Sequence, residues 1–260
     1  MSWVRKLHFS FYFLDKTMPT AVAQHIEDMR RANPDFEIRV WGPDECRNLI
    51  RDKFPQYLSL YDSFPYPIQR SDFSRYAILY EHGGVYADLD YTFTHPLDDI
   101  LAWIDKMYPE QQAFVNESPN RFLKRRLSNS LMLSREPHCP FWTHAMSKAT
   151  LGSGTSIHQK VMSSAGPQAV DRTYKSYPGN DAAVLPRKTF NPCSICARGK
   201  CQPSSGVLAF HDHAGGWHNK STRTINTIYC NAWWILGAVL VFAVIVALLV
   251  LLAKSMRQCL

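Results

Sequence analysis

The chain has 260 residues, 46% of them apolar, and a formal net charge of +7. That length and apolar content suffice for a sizeable core in one or two domains, which excludes a disordered polypeptide. The positive balance suits an anionic surface, but no nucleic-acid motif accompanies it and the aromatic residues follow core-like patterns, so a membrane is the favoured partner over nucleic acid.

In chain order the apolar periodicity predicts a strand near Lys6 to Phe13, a helix from Pro19 to Asn33, a strand from Glu37 to Trp41 and a helix from Pro43 to Lys53. A helix from Ile68 to His82 and a strand from Val85 to Asp90 follow. Alternation of strand and helix predicts an α/β open sheet with helices on its faces and a ligand at the strand ends. Residues 170 to 206, rich in Pro, Gly, Ser and Cys, read as a loop region leading to a histidine-rich turn and a juxtamembrane linker.

The most informative stretch runs from Tyr66 to Asp90. Pro67 suits a first helical turn, and Gly83 suits a left-handed helix stop. In the next strand Val85, Ala87 and Leu89 alternate with Tyr86, Asp88 and Asp90, so a period of two puts the tyrosine and both carboxylates on one face. Two carboxylates that close repel unless a cation joins them, and hard oxygen ligands select Mg²⁺ or Mn²⁺, which can bridge the phosphates of a nucleotide donor. Asp72 and Arg75 are three apart on the preceding helix, placed as a hydroxyl acceptor and an anion partner. A solvated strand end is the competing reading of Asp88 and Asp90, and a surface ion pair that of Asp72 and Arg75.

These residues carry a resemblance. Pro65-Tyr66-Pro67-Ile68-Gln69-Arg70, then Asp72, Arg75-Tyr76, Gly83-Gly84-Val85-Tyr86 and Asp88-Leu89-Asp90 are similar to the DXD-containing glycosyltransferases of the Och1-like family, and within it to the inositol phosphorylceramide mannosyltransferases. Lys6-Leu7-His8, Asn33 to Glu37, Val40-Trp41, Pro96-Leu97-Asp98, Asn129 to Met132 and Gly166-Pro167 resemble further family segments in the same order. The likeness covers roughly residues 5 to 218. It implies a GT-A-like nucleotide-sugar-binding open sheet with helices on both faces, and a metal-dependent retaining hexosyltransferase. The expected donor is GDP-mannose, the cofactor Mn²⁺ or Mg²⁺, and the acceptor a membrane glycolipid such as inositol phosphorylceramide. A UDP-sugar used on another glycan is the first alternative, and a catalytically silent sugar-binding membrane protein the second.

Carried onto this chain, the resemblance implies that Asp90 ligates the metal and Asp88 contacts the donor ribose or metal-bound water. Asp72 and Arg75 would touch the transferred sugar, with Tyr86 near the nucleotide. A late histidine completes such sites, and the element His211-Asp212-His213-Ala214-Gly215-Gly216-Trp217 supplies His211 or His213 as the further ligand.

No charged residue occurs from Ala232 to Ala253. At 1.5 Å per residue that run spans on the order of 30 Å, enough to cross a bilayer. Trp233 and Trp234 stand at its leading edge, and Lys254 and Arg257 follow it. The expected organisation is a catalytic domain over 1–218, a linker over 219–231, one C-terminal transmembrane helix over 232–253 and a short tail over 254–260. The first residues lack a small-residue cleavage site, so no signal peptide is expected. The family points to Golgi or ER membranes, while Lys220 and Arg223 before the span balance Lys254 and Arg257 after it and leave orientation open. Asn219-Lys220-Ser221 is a glycosylation acceptor only on the lumenal side. Arg121, Lys124, Arg125 and Arg126 form a basic cluster suited to phosphoinositol head groups. Cys193, Cys196, Cys201 and Cys230 fit either disulfides in an oxidising lumen or a zinc site in the cytosol, and Cys259 is open to acylation. Room is left for a regulatory subunit.

Overall fold

The computed structural model describes residues 3–10, 18–119, 126–197, 200–213 and 220–258. The basic residues at 121, 124 and 125, the glycines and tryptophan at 215–217, Asn219 and Cys259 lie outside them. A six-stranded mixed sheet runs in the order β2 (Glu37–Trp41), β1 (Lys6–Ser10), β3 (Gly84–Ala87), β6 (Leu127–Ser134), β5 (Ala113–Glu117), β7 (Ala182–Leu185). β1 is parallel to β2 and β3, β5 is parallel to β7, and β6 is antiparallel to both neighbours. A separate ribbon pairs β4 (Tyr91–Phe93) with β8 (Ala209–His211).

Strand alternation feeds two cores, one on each face of the sheet. Leu7, Phe9, Val85, Ala87, Leu131 and Leu133 pack with Ile26 and Met29 of α1 (Thr20–Ala32) and with Ile100 and Ile104 of α5 (Leu97–Met107). On the opposite face Tyr86, Val115 and Met132 pack with α2 (Pro43–Lys53), α4 (Pro67–His82) and α6 (Pro140–Ser147). This is an α/β open sheet with helices on both faces. α4 begins on Pro67, and the Gln69 side chain accepts from the Tyr66 N–H at 3.1 Å. Because α4 is covered nearly all round, even Asp72 and Arg75 are buried.

Several predicted boundaries shift. β1 is described only to Ser10, since Phe11 to Phe13 lie outside the described residues. The strand expected to reach Asp90 stops at Ala87, because the Tyr91 N–H bonds the Asp88 carbonyl at 2.9 Å and turns the chain back into β4. Alternation therefore holds for Val85, Tyr86 and Ala87, while the two carboxylates meet through a turn and not through a shared strand face. Residues 170 to 206 are more ordered than a loop, with α8 (Pro167–Ser176), β7 and α9 (Arg187–Phe190), and a Cys193–Cys201 disulfide follows. α3 (Leu58–Asp62) and α7 (Ile157–Ser164) are further helices of this part.

The chain forms two compact units, Met1–Ala214 and Gly215–Leu260. Within the second, the stretch read as a linker is helical, α10 (Lys220–Cys230), and α11 (Ala232–Gln258) follows. α11 is long and apolar enough over Ala232–Leu251 to cross a membrane.

Candidate active site

Gly83 and Gly84 hold φ of 63° and 82°, a region costly for residues with a Cβ, and so swing the chain from α4 directly into β3. A Cβ on Gly84 would sit 2.5 Å from the Lys6 carbonyl oxygen, so only glycine lets β3 lie this close to β1. β3 then delivers Asp88, whose N–H bonds the Ser130 carbonyl of β6 at 2.8 Å.

Arg75 sits at the centre of the buried side of the site. Its guanidinium reaches Asp72 Oδ1 at 2.9 Å, Asp88 Oδ1 at 3.2 Å and the Asn129 carbonyl at 2.6 Å, and lies 4.9 Å from the Tyr86 ring centre. The Asn129 amide donates to the same Asp72 oxygen at 2.9 Å. Burial pushes the Asp72 carboxyl up to about 6 against the opposing pull of Arg75. For Asp88 the order is the same, burial raising its pKa more than the Arg75 charge lowers it. Arg75 stays charged, since the carboxylates outweigh the effect of burial. Tyr86 is fully buried, its hydroxyl bonded to Ser10 Oγ, which in turn meets Ser71 Oγ at 2.7 Å. Ser10 and Ser71 also border a cavity of about 470 Å³ walled further by Pro43, Arg47, Tyr61 and Arg70.

The exposed side of the site is built by the ribbon. β4 to β8 pairing sets Tyr91 opposite His211, and the Asp212 N–H bonds the Asp90 carbonyl at 2.9 Å. His211 Nε2 thereby lies 2.8 Å from Asp90 Oδ1, and its ring stacks on Tyr91 at 5.3 Å and 13°. Burial lowers the His211 pKa, but Asp90 and Asp88 outweigh it and the net shift is upward. Asp88, Asp90 and His211 offer ligand atoms within 4.8 Å of one another, and all three are half-buried. Two carboxylates and an imidazole at that spacing fit a Mg²⁺ or Mn²⁺ ion. His213 packs its ring 4.2 Å from that of His211 and points Nε2 at the Cys193 carbonyl, 2.8 Å away.

Asp72, Arg75, Asp88, Asp90 and His211 are thus gathered in one place. Sequence reading passed over Ser10, Ser71 and Tyr91, and took Asn129 only as part of a family segment. Gly166 was likewise noted only for resemblance. A Cβ there would stand 3.2 Å from Asp72 Oδ2 and 2.7 Å from the Val161 carbonyl oxygen. None of these carries a spacing signal, because each meets the site through tertiary contact.

Residues 19–110 match the family described as the glycosyltransferase sugar-binding region containing the DXD motif. An uncharacterized glycosyltransferase of Acanthamoeba polyphaga mimivirus is 27% identical over 187 residues, 69% of this chain and 69% of its own. Inositol phosphoceramide mannosyltransferase 3 of Schizosaccharomyces pombe is 41% identical over 80 residues, 30% of this chain and 22% of its own. Inositol phosphoceramide mannosyltransferase 1 of the same yeast is 25% identical over 252 residues, 91% of this chain and 68% of its own. Asp88-Leu89-Asp90 lies inside the matched region, and over that region the chain is similar to glycosyltransferases that contain the DXD motif.

Proposed function

We propose that this chain transfers mannose from GDP-mannose to a membrane glycolipid such as inositol phosphoceramide, retaining the α-anomer. The observation that carries this reading is the convergence of Asp88, Asp90 and His211 beside the Asp72 and Arg75 pair. Asp88, Asp90 and His211 would hold Mn²⁺ or Mg²⁺, which when bound supplies positive charge to the donor diphosphate. Arg75 fixes Asp72 and Asp88 in place and offers a permanent cation to the sugar or phosphate. Asp72 accepts from a sugar hydroxyl and, through Asn129 and Arg75, keeps one orientation as it does so. The cavity between Ser10, Ser71 and Tyr61 is large enough for the donor nucleoside. On this reading attack comes from the leaving-group side, with positioning and charge doing the catalysis.

The lipid acceptor is supported by the names of the yeast relatives and by the apolar length of α11. The Cys193–Cys201 disulfide supports an oxidising compartment, and hence a catalytic unit on the lumenal side of a Golgi or ER membrane. A donor screen on the detergent-solubilised chain with inositol phosphoceramide tests the proposal, following nucleoside diphosphate release and lipid product together. GDP and mannosylated lipid should appear only with Mn²⁺ or Mg²⁺ and fall at least about 100-fold in Asp90→Ala. Turnover confined to a UDP-sugar would replace the donor, and binding without turnover on any donor would make the chain a sugar-binding protein.

A further inference from the structure

His213 is one of two non-glycine residues with positive φ among the described residues, at 53°. Such a conformation is disfavoured for a residue with a Cβ and persists where surrounding contacts enforce it. Here the enforcing contacts are visible. The carbonyl of Cys193 only accepts, so His213 Nε2 carries a proton and donates to it at 2.8 Å. Cys193 is itself 3% exposed and is closed onto Cys201 by the disulfide, with the two Cα atoms 5.8 Å apart. The His213 ring so fixed lies 4.2 Å from that of His211 at 55°. Tyr91, with its hydroxyl tied to the Phe190 carbonyl at 2.6 Å, stacks on the His211 ring at 13°. The His211 imidazole is therefore held by two rings, each anchored to backbone in the segment between residues 190 and 193.

We propose that His213 is a positioning residue for cation binding, and that the disulfide-closed loop from Cys193 to Cys201 sets the affinity of Asp88, Asp90 and His211 for a divalent ion by holding His213 in place. The proposal rests on the metal site of the preceding section. Without His213 the His211 ring loses one of its two packing partners, and its nitrogen spends less time aimed at Asp90. Without the disulfide the Cys193 carbonyl is no longer pinned, and His213 loses the anchor that offsets its backbone conformation.

Mn²⁺ binding to the full chain in detergent, read from the electron paramagnetic resonance signal of free Mn²⁺, tests this. Co²⁺ absorption gives a second readout sensitive to ligand arrangement. Residues that orient a metal ligand typically change affinity about 10–100-fold, so His213→Ala should weaken Mn²⁺ at least about 10-fold and alter the Co²⁺ spectrum. Asn tolerates positive φ and donates through its amide but has no ring to pack on His211, so His213→Asn should keep the fold and still weaken Mn²⁺ at least about 5-fold. Replacing Cys193 and Cys201 together by Ser should weaken binding comparably, and adding His213→Ala in that background should change it less than about 2-fold, because the two act through one contact. Thermal melting without metal separates loss of fold from loss of the site, and the Asn variant carries the test if the Ala variant does not fold. Unchanged Mn²⁺ affinity in both the alanine and the paired serine variants overturns the proposal, as does full additivity. Absence of Mn²⁺ binding by the native chain would instead overturn the metal reading itself.

Discussion

Arg75 is 2% exposed and faces two carboxylates, so its loss would leave the buried Asp72 beside Asp88 with no cation between them. Deleting one partner of a buried pair costs roughly 3–5 kcal/mol. Arg75→Met should therefore lower the unfolding free energy read from urea denaturation by an amount of that order and abolish transfer, both measurable on the solubilised chain. His8 supplies a second test. Its Nε2 faces the Gly83 carbonyl and must carry the proton, while Nδ1 accepts from Trp41 Nε1–H, so the native ring is neutral. Burial first, then the nearby His82, lowers its pKa to about 3 from an ordinary 6.5. The unfolded chain binds this proton at higher pH than the folded one, so stability is intact above pH 6.5 and lost as pH falls towards 3. The full effect is on the order of 5 kcal/mol, and denaturation midpoints across that window should flatten in His8→Gln.

At the level of elements, the Gly83-Gly84 corner decides whether β3 can reach β1. Gly84→Ala meets both a left-handed backbone and the Lys6 carbonyl, and should destabilise the chain by at least about 2 kcal/mol in urea unfolding. β2 and α2 were legible to the residue because Val40-Trp41 and Pro43 mark their ends plainly. The resemblance named Asp72, Arg75, Asp88 and Asp90 together, and the structure brings them together from α4 and the turn after β3. The turn itself was not legible, since Asp88-Leu89-Asp90 continues the alternation of β3 until the Tyr91 N–H folds back. Nor was β8, whose three residues Ala209–His211 have no period of their own and become a strand only against β4. The choice between His211 and His213 depended on that pairing. α8, β7 and α9 escaped notice because Pro, Gly and Ser mark their boundaries so densely that the short apolar runs between them look like loop.

Taken as a whole, the chain joins a compact α/β unit with two cores to a helical unit whose apolar α11 is exposed from Ala232 to Leu251. Burying such a segment in a bilayer is strongly favoured over leaving it in water. The expressed chain is expected to stay with membranes through an alkaline carbonate wash and to leave them only with detergent, which fractionation followed by immunoblotting checks. The histidine that closes the acidic turn stands 121 positions further along the chain than the aspartate it meets. Every strand of the large sheet ends by Leu185, so a nascent polypeptide released shortly after that point would own the whole scaffold and the Arg75 knot yet only two of three cation donors. Such long-range closure is reached late in folding. A chain stopped there lacks the third donor and cannot grip an ion, which ties the onset of chemistry to synthesis of the segment that carries His211.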